Sequence, residues 1–472
     1  MRRLPRCGPS SVRMSSSSAL RHVDDGLAER LSRICEVSQS SSVLARHGKD
    51  ESYHECVPPE LVAFPESTAE VSAVVRECAA ARTAIVPYGT GTSLEGHVQA
   101  PEGGVCVDLG AKMTRIVDES VEDQAATCEA GVTRGALNRS LRSSGLEFAV
   151  DPGADASLGG MAACGASGTR AVSIGTMREN VTGLQVVLPD GRVADCGGKF
   201  RKSSAGYDLV RLFVGSEGTL GVLTECTVKL SPRPAFLASA VITFASVRLA
   251  GEAVVTLLAS GVPLKRCELL DATTVNAFNR YNRDNDNPAL PERATLFLEL
   301  GDAALAVLDA HLALAKEICE FVDPDAAVAS SLNDEAAAAD LWKARHSTYY
   351  AALALKKPDG RAIVTDVCVP LSKFADMVEA SVRFVDEYDV VGPTFGHAGD
   401  GNIHTILCYN DHDDQPYLDR LHACHHRIVD RALALGGTIS GEHGVGAGKR
   451  AYLRRQYGDA TIDTMATIKA AI

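Results

Sequence analysis

Residues 87–97 read Pro87-Tyr88-Gly89-Thr90-Gly91-Thr92-Ser93-Leu94-Glu95-Gly96-His97. The apolar residues 84–86 precede them, so a short strand is expected to run into a glycine loop. That is the usual place for backbone N–H groups to meet phosphate oxygens. Two common nucleotide folds fail here. A dinucleotide fingerprint needs a third glycine where Leu94 stands. A nucleotide-triphosphate loop needs a following Lys that the chain lacks. The ligand has to be inferred from what else is built for close approach.

Two further stretches share the style. Residues 151–168, from Asp151-Pro152-Gly153 to Ala166-Ser167-Gly168, are mostly Gly, Ala and Ser. So many small residues cannot fill a core; they let backbone approach something large and flat, or bulky and charged. Leu158 and Met161 inside the stretch argue against a flexible linker. Residues 203–209 and 215–221 form a third small-residue cluster.

A different chemistry is written at residues 396–404, Gly396-His397-Ala398-Gly399-Asp400-Gly401-Asn402-Ile403-His404. Two imidazoles, a carboxylate and an amide are spaced by glycines that permit a sharp turn. Gly441-Glu442-His443-Gly444 repeats the pattern. Imidazole and carboxylate together suit a borderline divalent cation such as zinc or manganese. His397, His404 and Glu442 are therefore read as metal ligands, with His443 left for acid–base work. The competing reading is a set of turn histidines on a surface loop.

The chain has 472 residues and is 46% hydrophobic, which allows two or three domains with large cores. A formal net charge of −13 excludes the basic surface that nucleic acid requires. An anionic substrate then needs a local cationic pocket. No run of about 18 apolar residues occurs, so no transmembrane segment is expected. The 14 cysteines are scattered without a CxxC pair, which fits a reduced compartment. Residues 1–23 hold Arg2, Arg3, Arg6, Arg13 and Arg21, a serine run at 15–18, and no acidic residue. That is the composition of a mitochondrial transit peptide.

Along the chain, Ser67-Thr68-Ala69-Glu70 reads as a capping box opening a helix with Val71, Val74, Val75 and Cys78 inward. Residues 105–109, 125–129, 181–188 and 222–230 read as strands. Thr133 is expected to cap a helix that Gly145 ends. The character changes at Pro232-Arg233-Pro234, which gives a lead segment at 24–57, one domain at 58–232 and another at 233–472. In the second, strands such as 239–244 and 295–300 alternate with alanine-rich helices such as 303–321, an α+β layer. Residues 341–346, 373–385 and 417–435 read as further helices, and 366–370 as a strand. His422, Cys424, His425 and His426 share one of these helices, but helical spacing spreads them around the axis and no second metal site is expected.

Five motifs in order then carry a resemblance: PYGTGTSLEGHV (87–98), DPGADASLGGMAACGASGTRAVSIGTMRENV (151–181), KSSAGYDLVRLFVGSEGTLG (202–221), GHAGDGNIH (396–404) and GEHGVGAGKR (441–450). From about Pro58 onward the chain resembles the FAD-linked 2-hydroxy-acid dehydrogenases of the vanillyl-alcohol-oxidase fold. The likeness is strongest to the cytochrome-linked mitochondrial members that act on D-lactate; those acting on D-2-hydroxyglutarate or glycolate are near relatives. The resemblance implies an α+β chain: a two-part PCMH-type FAD-binding domain, then an α+β substrate domain with an antiparallel sheet and helices on one face.

It also implies roles. Pro87, Gly89, Thr90, Gly91, Thr92 and Ser93 would surround the FAD pyrophosphate. Pro152, Gly153, Ala156, Ser157, Gly159, Gly160, Gly165, Ser167, Gly168, Gly175, Glu217, Gly218, Gly221 and Val222 would line the rest of the cofactor. The loop 89–93 has neither His nor Cys, so non-covalent FAD is expected, with no tether at His97. His397, His404 and Glu442 match the family's metal positions, His443 its general base, and Arg345 an arginine that meets the substrate carboxylate. Asp400 and Asn402 would support the ligands. Hydroxyglutarate-oxidising relatives carry a lysine just before the Asp366 strand; Val364-Thr365 stands here, which favours a monocarboxylate. Electrons would pass to a cytochrome c or quinone-linked acceptor. Family members usually continue into an Asp-Pro and Asn-Pro-Gly-Lys tail near the cofactor, whereas this sequence ends at Ile472. Two other classes compete: a zinc hydrolase, which leaves the glycine loops without a ligand, and a non-catalytic flavin-binding subunit, which leaves Glu442 and His443 without a role.

Overall fold

The computed structural model describes residues 20–281, 289–334, 341, 342, 345 and 347–472. Most of the expected transit peptide, and Lys343, Ala344 and His346 of the expected helix 341–346, lie outside these residues.

Ser67 stops the extended chain and starts the helix Thr68–Ala81 by accepting from the N–H of Glu70. The Glu70 carboxylate turns to the N–H of Glu66, so only half of the expected capping box forms. Val71, Val74, Val75 and Cys78 pack beneath a four-stranded sheet. Its order is Glu36–Ser38, Leu61–Phe64, Val105–Asp108, Ile85–Tyr88. The last three strands run parallel, because the helix Thr68–Ala81 carries the chain back between pairings. The loop 89–93 leaves the C-terminal end of Ile85–Tyr88, the end of parallel strands where ligands usually sit.

A five-stranded antiparallel sheet follows, ordered Ile116–Ser120, Ala125–Glu129, Val222–Lys229, Val181–Val187, Val193–Gly197. The small-residue stretch proves to contain a helix, Leu158–Cys164. Leu158, Met161 and Ala162 do enter a core, with Phe148, Leu184 and Val186, so the stretch packs on one side and stays small on the other.

The second half builds an eight-stranded sheet in which every pairing is antiparallel. Its main path is Ala327–Leu332, Phe236–Phe244, Ala294–Asp302, Leu264–Leu270, Thr394–His397, Asn402–Tyr409, Arg361–Val364, and Val367–Cys368 also pairs with Asn402–Tyr409. Alternation assigns the two faces. Cys267, Leu269, Leu296, Leu298, Ile403 and Leu407 pack against the helices Val247–Ala259, Leu305–Val322, Phe374–Glu387 and Gln415–Ala434. The opposite face holds Leu270, Phe297, Phe395 and Ile406, partly covered by Ala272–Tyr281 and Thr348–Leu353. Glu268, His397 and His404 share the parity of that second face. Arg266 ties this sheet to the first half, reaching Asp151 and Glu299 at 3.1 Å each.

Among the described residues every cysteine is free, and no helix is long and apolar enough to cross a membrane.

Candidate active site

Gly401 makes the site possible. At φ +78 it turns the chain between Thr394–His397 and Asn402–Tyr409, and a Cβ there would lie 2.2 Å from the carbonyl oxygen of Val369. The hairpin brings His397 and His404 together, with ring centres 5.4 Å apart. Glu442 reaches them from the loop 440–449. Its Oε1 lies 3.0 Å from His397 Nε2 and 3.2 Å from His404 Nε2. One nitrogen from each ring and one Glu442 oxygen all fall within 4.8 Å of one another.

The far side of each ring is anchored. His397 Nδ1 donates to Glu268 Oε1 at 2.7 Å, and His404 Nδ1 donates to the Thr365 carbonyl at 3.3 Å. Metal-binding histidines are oriented in this way. With Nδ1 so used, a neutral His404 turns the lone pair of Nε2 onto a carboxylate oxygen, an arrangement that a cation resolves. Burial pulls the His397 imidazole down, but the carboxylates of Glu268 and Glu442 outweigh it and hold the ring protonated well above the ordinary histidine range. A divalent ion would take the place of that proton. The residues present therefore fit a metal ion.

His443 stacks on His404 with ring centres 5.0 Å apart and planes 15° from parallel. Its Nδ1 is buried without a hydrogen-bond partner. Burial pulls it down to about 4, against the pull of Asp366, so the ring stays neutral and able to accept a proton.

Asp366 shapes the loop. It is fully buried, and its Oδ2 accepts from the N–H groups of Gly441, Glu442 and His443 and from Ser440 Oγ. Asn402 donates to Oδ1 at 2.9 Å. Burial works against its charge, but His443, Lys449 and His404 hold it far below the usual carboxylate range. Asp400 stands apart from this network; burial pushes it up to about 7.

Arg345 is buried, and its Nε and Nη2 both donate to Glu268 Oε2, at 2.8 and 2.5 Å. Its guanidinium lies over the Phe395 ring. Glu268 thus bridges the arginine and the histidine, although it belongs to none of the motifs. It lies in the strand Leu264–Leu270, which is buried along almost its whole length.

Five of these groups meet one cavity of about 590 Å³, within the size range of cofactor sites. Its wall includes Arg345, His397, His404, Glu442 and His443. It also includes Pro87, Gly89, Thr90, Gly91, Thr92, Ser93, Pro152, Gly153, Ala156, Ser157, Gly159, Gly160, Ser167, Gly168, Glu217, Gly218 and Gly221. Backbone is pressed close here: a Cβ on Gly89 would stand 2.3 Å from Ser157 Oγ. Ser157 Oγ is buried at this wall without a partner. A long wall of backbone N–H groups and small side chains fits a flavin diphosphate.

Gly165, Gly175 and Val222 do not line the wall. Gly165 and Gly175 end the helices Leu158–Cys164 and Ala171–Ile174 with positive φ, and Val222 packs in the core beneath the four-stranded sheet. The stretch 203–209 also stays outside, with Tyr207 94% exposed.

Residues 59–197 match the FAD binding domain family, and residues 233–472 match the C-terminal domain of FAD linked oxidases. This chain belongs to the FAD-linked oxidase family. It is an FAD-dependent oxidoreductase. The FAD-linked oxidase is 46% identical to a probable mitochondrial D-lactate dehydrogenase of Danio rerio, over 92% of this chain and 86% of that one. It is 37% identical to the mitochondrial D-lactate dehydrogenase [cytochrome] of Arabidopsis thaliana, over 98% of this chain and 81% of that one. Its fold is that of 4-ethylphenol oxidase from Gulosibacter chungangensis, with a TM-score of 0.75, 17% identity and 96% of each chain covered. The structure of p-cresol methylhydroxylase gives a TM-score of 0.73 at 16% identity, again over 96% of each chain.

Proposed function

We propose that this oxidase converts D-lactate, or a similar small D-2-hydroxy monocarboxylate, to the 2-oxo acid, with non-covalent FAD and one divalent ion. Electrons then leave for a cytochrome c or quinone-linked acceptor. The observation that carries this reading is the convergence of His397, His404, Glu442 and His443 on the cavity bounded by the three glycine loops.

The reaction removes a proton from the hydroxyl oxygen and a hydride from Cα. When bound, FAD supplies the hydride acceptor and a divalent ion, held by His397, His404 and Glu442, supplies the charge that makes the hydroxyl more acidic. His443 takes the hydroxyl proton on its imidazole, which burial keeps neutral. Arg345 uses its Nε and Nη2 edge on Glu268, so its Nη1 end is the part that meets the substrate carboxylate. Glu268 holds both that guanidinium and the His397 ring in position. Asp366 fixes the backbone that carries Glu442 and His443.

Among the described wall residues, Arg345 and Lys469 are the only Lys or Arg. Lys469 donates to the Thr219 carbonyl in the third glycine loop. Val364 lines the cavity wall with an uncharged side chain, which supports a monocarboxylate. The basic, acid-poor residues 1–23 and the mitochondrial relatives support a mitochondrial address. A zinc hydrolase would leave the glycine loops unused.

Anaerobic bleaching of the flavin band across D-lactate, L-lactate, glycolate and D-2-hydroxyglutarate tests the reading. D-lactate should bleach it fastest. Replacing His443 by Ala should leave FAD bound and slow bleaching by about 100-fold or more. Equal rates for both lactate enantiomers would refute the substrate assignment, and an unchanged rate would remove His443 from the mechanism.

A further inference from the structure

The segment 440–449, which carries Glu442 and His443, is gripped from the cofactor side as well as by Asp366. Glu217 belongs to the third glycine loop. Its Oε1 accepts from the Val445 N–H at 2.7 Å and its Oε2 from the Gly446 N–H at 2.8 Å. His97 Nε2 stands 3.0 Å from Oε2. From the first glycine loop, Glu95 Oε1 lies 2.8 Å from Lys449 Nζ, which also reaches Ser440 Oγ at 3.3 Å and Asp366 at 3.4 Å. Two of the three glycine loops that bound the cavity therefore hold the segment that supplies Glu442.

Glu217 does this from an unfavourable backbone. Its φ is +53, a left-handed conformation that disfavours any residue with a Cβ. Gly215 and Gly218 beside it are also left-handed and carry no such penalty. A side chain kept where glycine would be easier points to a role for that side chain.

We propose that Glu217 is a positioning residue that couples FAD binding to divalent-ion binding at His397, His404 and Glu442. A flavin packed against the stretches 87–97 and 215–219 fixes the carboxylates they carry, Glu95 and Glu217. Glu217 passes that order to Val445 and Gly446, and so to Glu442. By linkage the effect is reciprocal: the ion tightens FAD by the same factor as FAD tightens the ion. The inference rests on the FAD and metal reading above.

The test uses the full-length protein treated with EDTA. Mn²⁺ binding is first measured by calorimetry. The FAD dissociation constant is then measured by flavin fluorescence, without and with saturating Mn²⁺. The wild type should bind FAD about fivefold or more tightly with Mn²⁺ present. In Glu217→Gln and Glu217→Gly the ratio should fall toward one while both ligands still bind. The glycine variant removes the carboxylate and relieves the backbone together. A wild-type ratio of one, or an equal ratio in wild type and variants, overturns the coupling but leaves both sites standing. Absence of Mn²⁺ binding to the wild type overturns the metal reading and the coupling with it. A wild-type ratio of one overturns the proposal whether or not a variant folds, and either variant that folds tests the assignment to Glu217.

Discussion

Glu268 and His397 face each other across neighbouring antiparallel strands, and Glu268 Oε1 lies 2.7 Å from His397 Nδ1. One carboxylate thereby orients a candidate metal ligand and, through its other oxygen, the candidate substrate arginine. Glu268→Gln should lower Mn²⁺ affinity by about 10- to 100-fold, the usual effect of losing such a partner. Calorimetry on the EDTA-treated protein checks it. An affinity within twofold of wild type would mean that Glu268 serves only the arginine.

Asp366 is a buried hub for three successive backbone N–H groups and a buried Lys449. Asp366→Ala leaves that lysine short of one partner and the N–H groups of Glu442 and His443 with none, while the Gly441 N–H keeps the carbonyl of residue 366. The expected loss is about 3 to 5 kcal/mol, read as a clear drop in the thermal midpoint. A midpoint within a degree of wild type would contradict the hub.

Substrate size should respond to Val364. Val364→Lys puts a cation on the cavity wall beside the Asp366 strand. The kcat/KM ratio of D-2-hydroxyglutarate to D-lactate should then rise by about tenfold or more. A fall in activity on both substrates with no change in ratio would show that the second carboxylate does not reach this wall.

Asp271 supplies a pH dependence away from the chemistry. Burial pushes its carboxyl up to about 6, although Thr274 and Thr394 donate to it and pull the other way. The raised value means that the folded chain binds the proton more tightly than the unfolded chain. Its contribution to stability is full below the ordinary value of 3.8 and is lost as pH rises through 6. Asp271→Asn keeps an acceptor oxygen and removes the titration. Relative to wild type, its thermal midpoint should improve between pH 4 and pH 7. A constant difference over that range would contradict the argument.

The sequence announced the site unevenly. His397, Glu442 and His443 were legible because each adjoins a glycine, and His404 because it closes the same glycine-rich turn as His397. The five ordered motifs carried the fold. Glu268 was not legible, because 129 positions separate it from His397 and only the strand order makes them neighbours. Asp366 was read merely as the start of a strand; its role depends on a loop 74 to 77 positions later folding onto it. The helix Leu158–Cys164 was hidden by its small residues, since Leu158, Met161 and Ala162 suffice to seat one face. The family resemblance marks Gly165 and Gly175 as cofactor glycines, yet their positive φ values serve helix ends.

The most direct measurement is single-turnover reduction of the FAD-loaded, EDTA-treated protein by D-lactate under anaerobic conditions, before and after adding Mn²⁺ or Zn²⁺. The flavin band should persist without a divalent ion and bleach promptly once one is restored. Full-rate bleaching in the stripped protein would show that His397, His404 and Glu442 do their work without a metal.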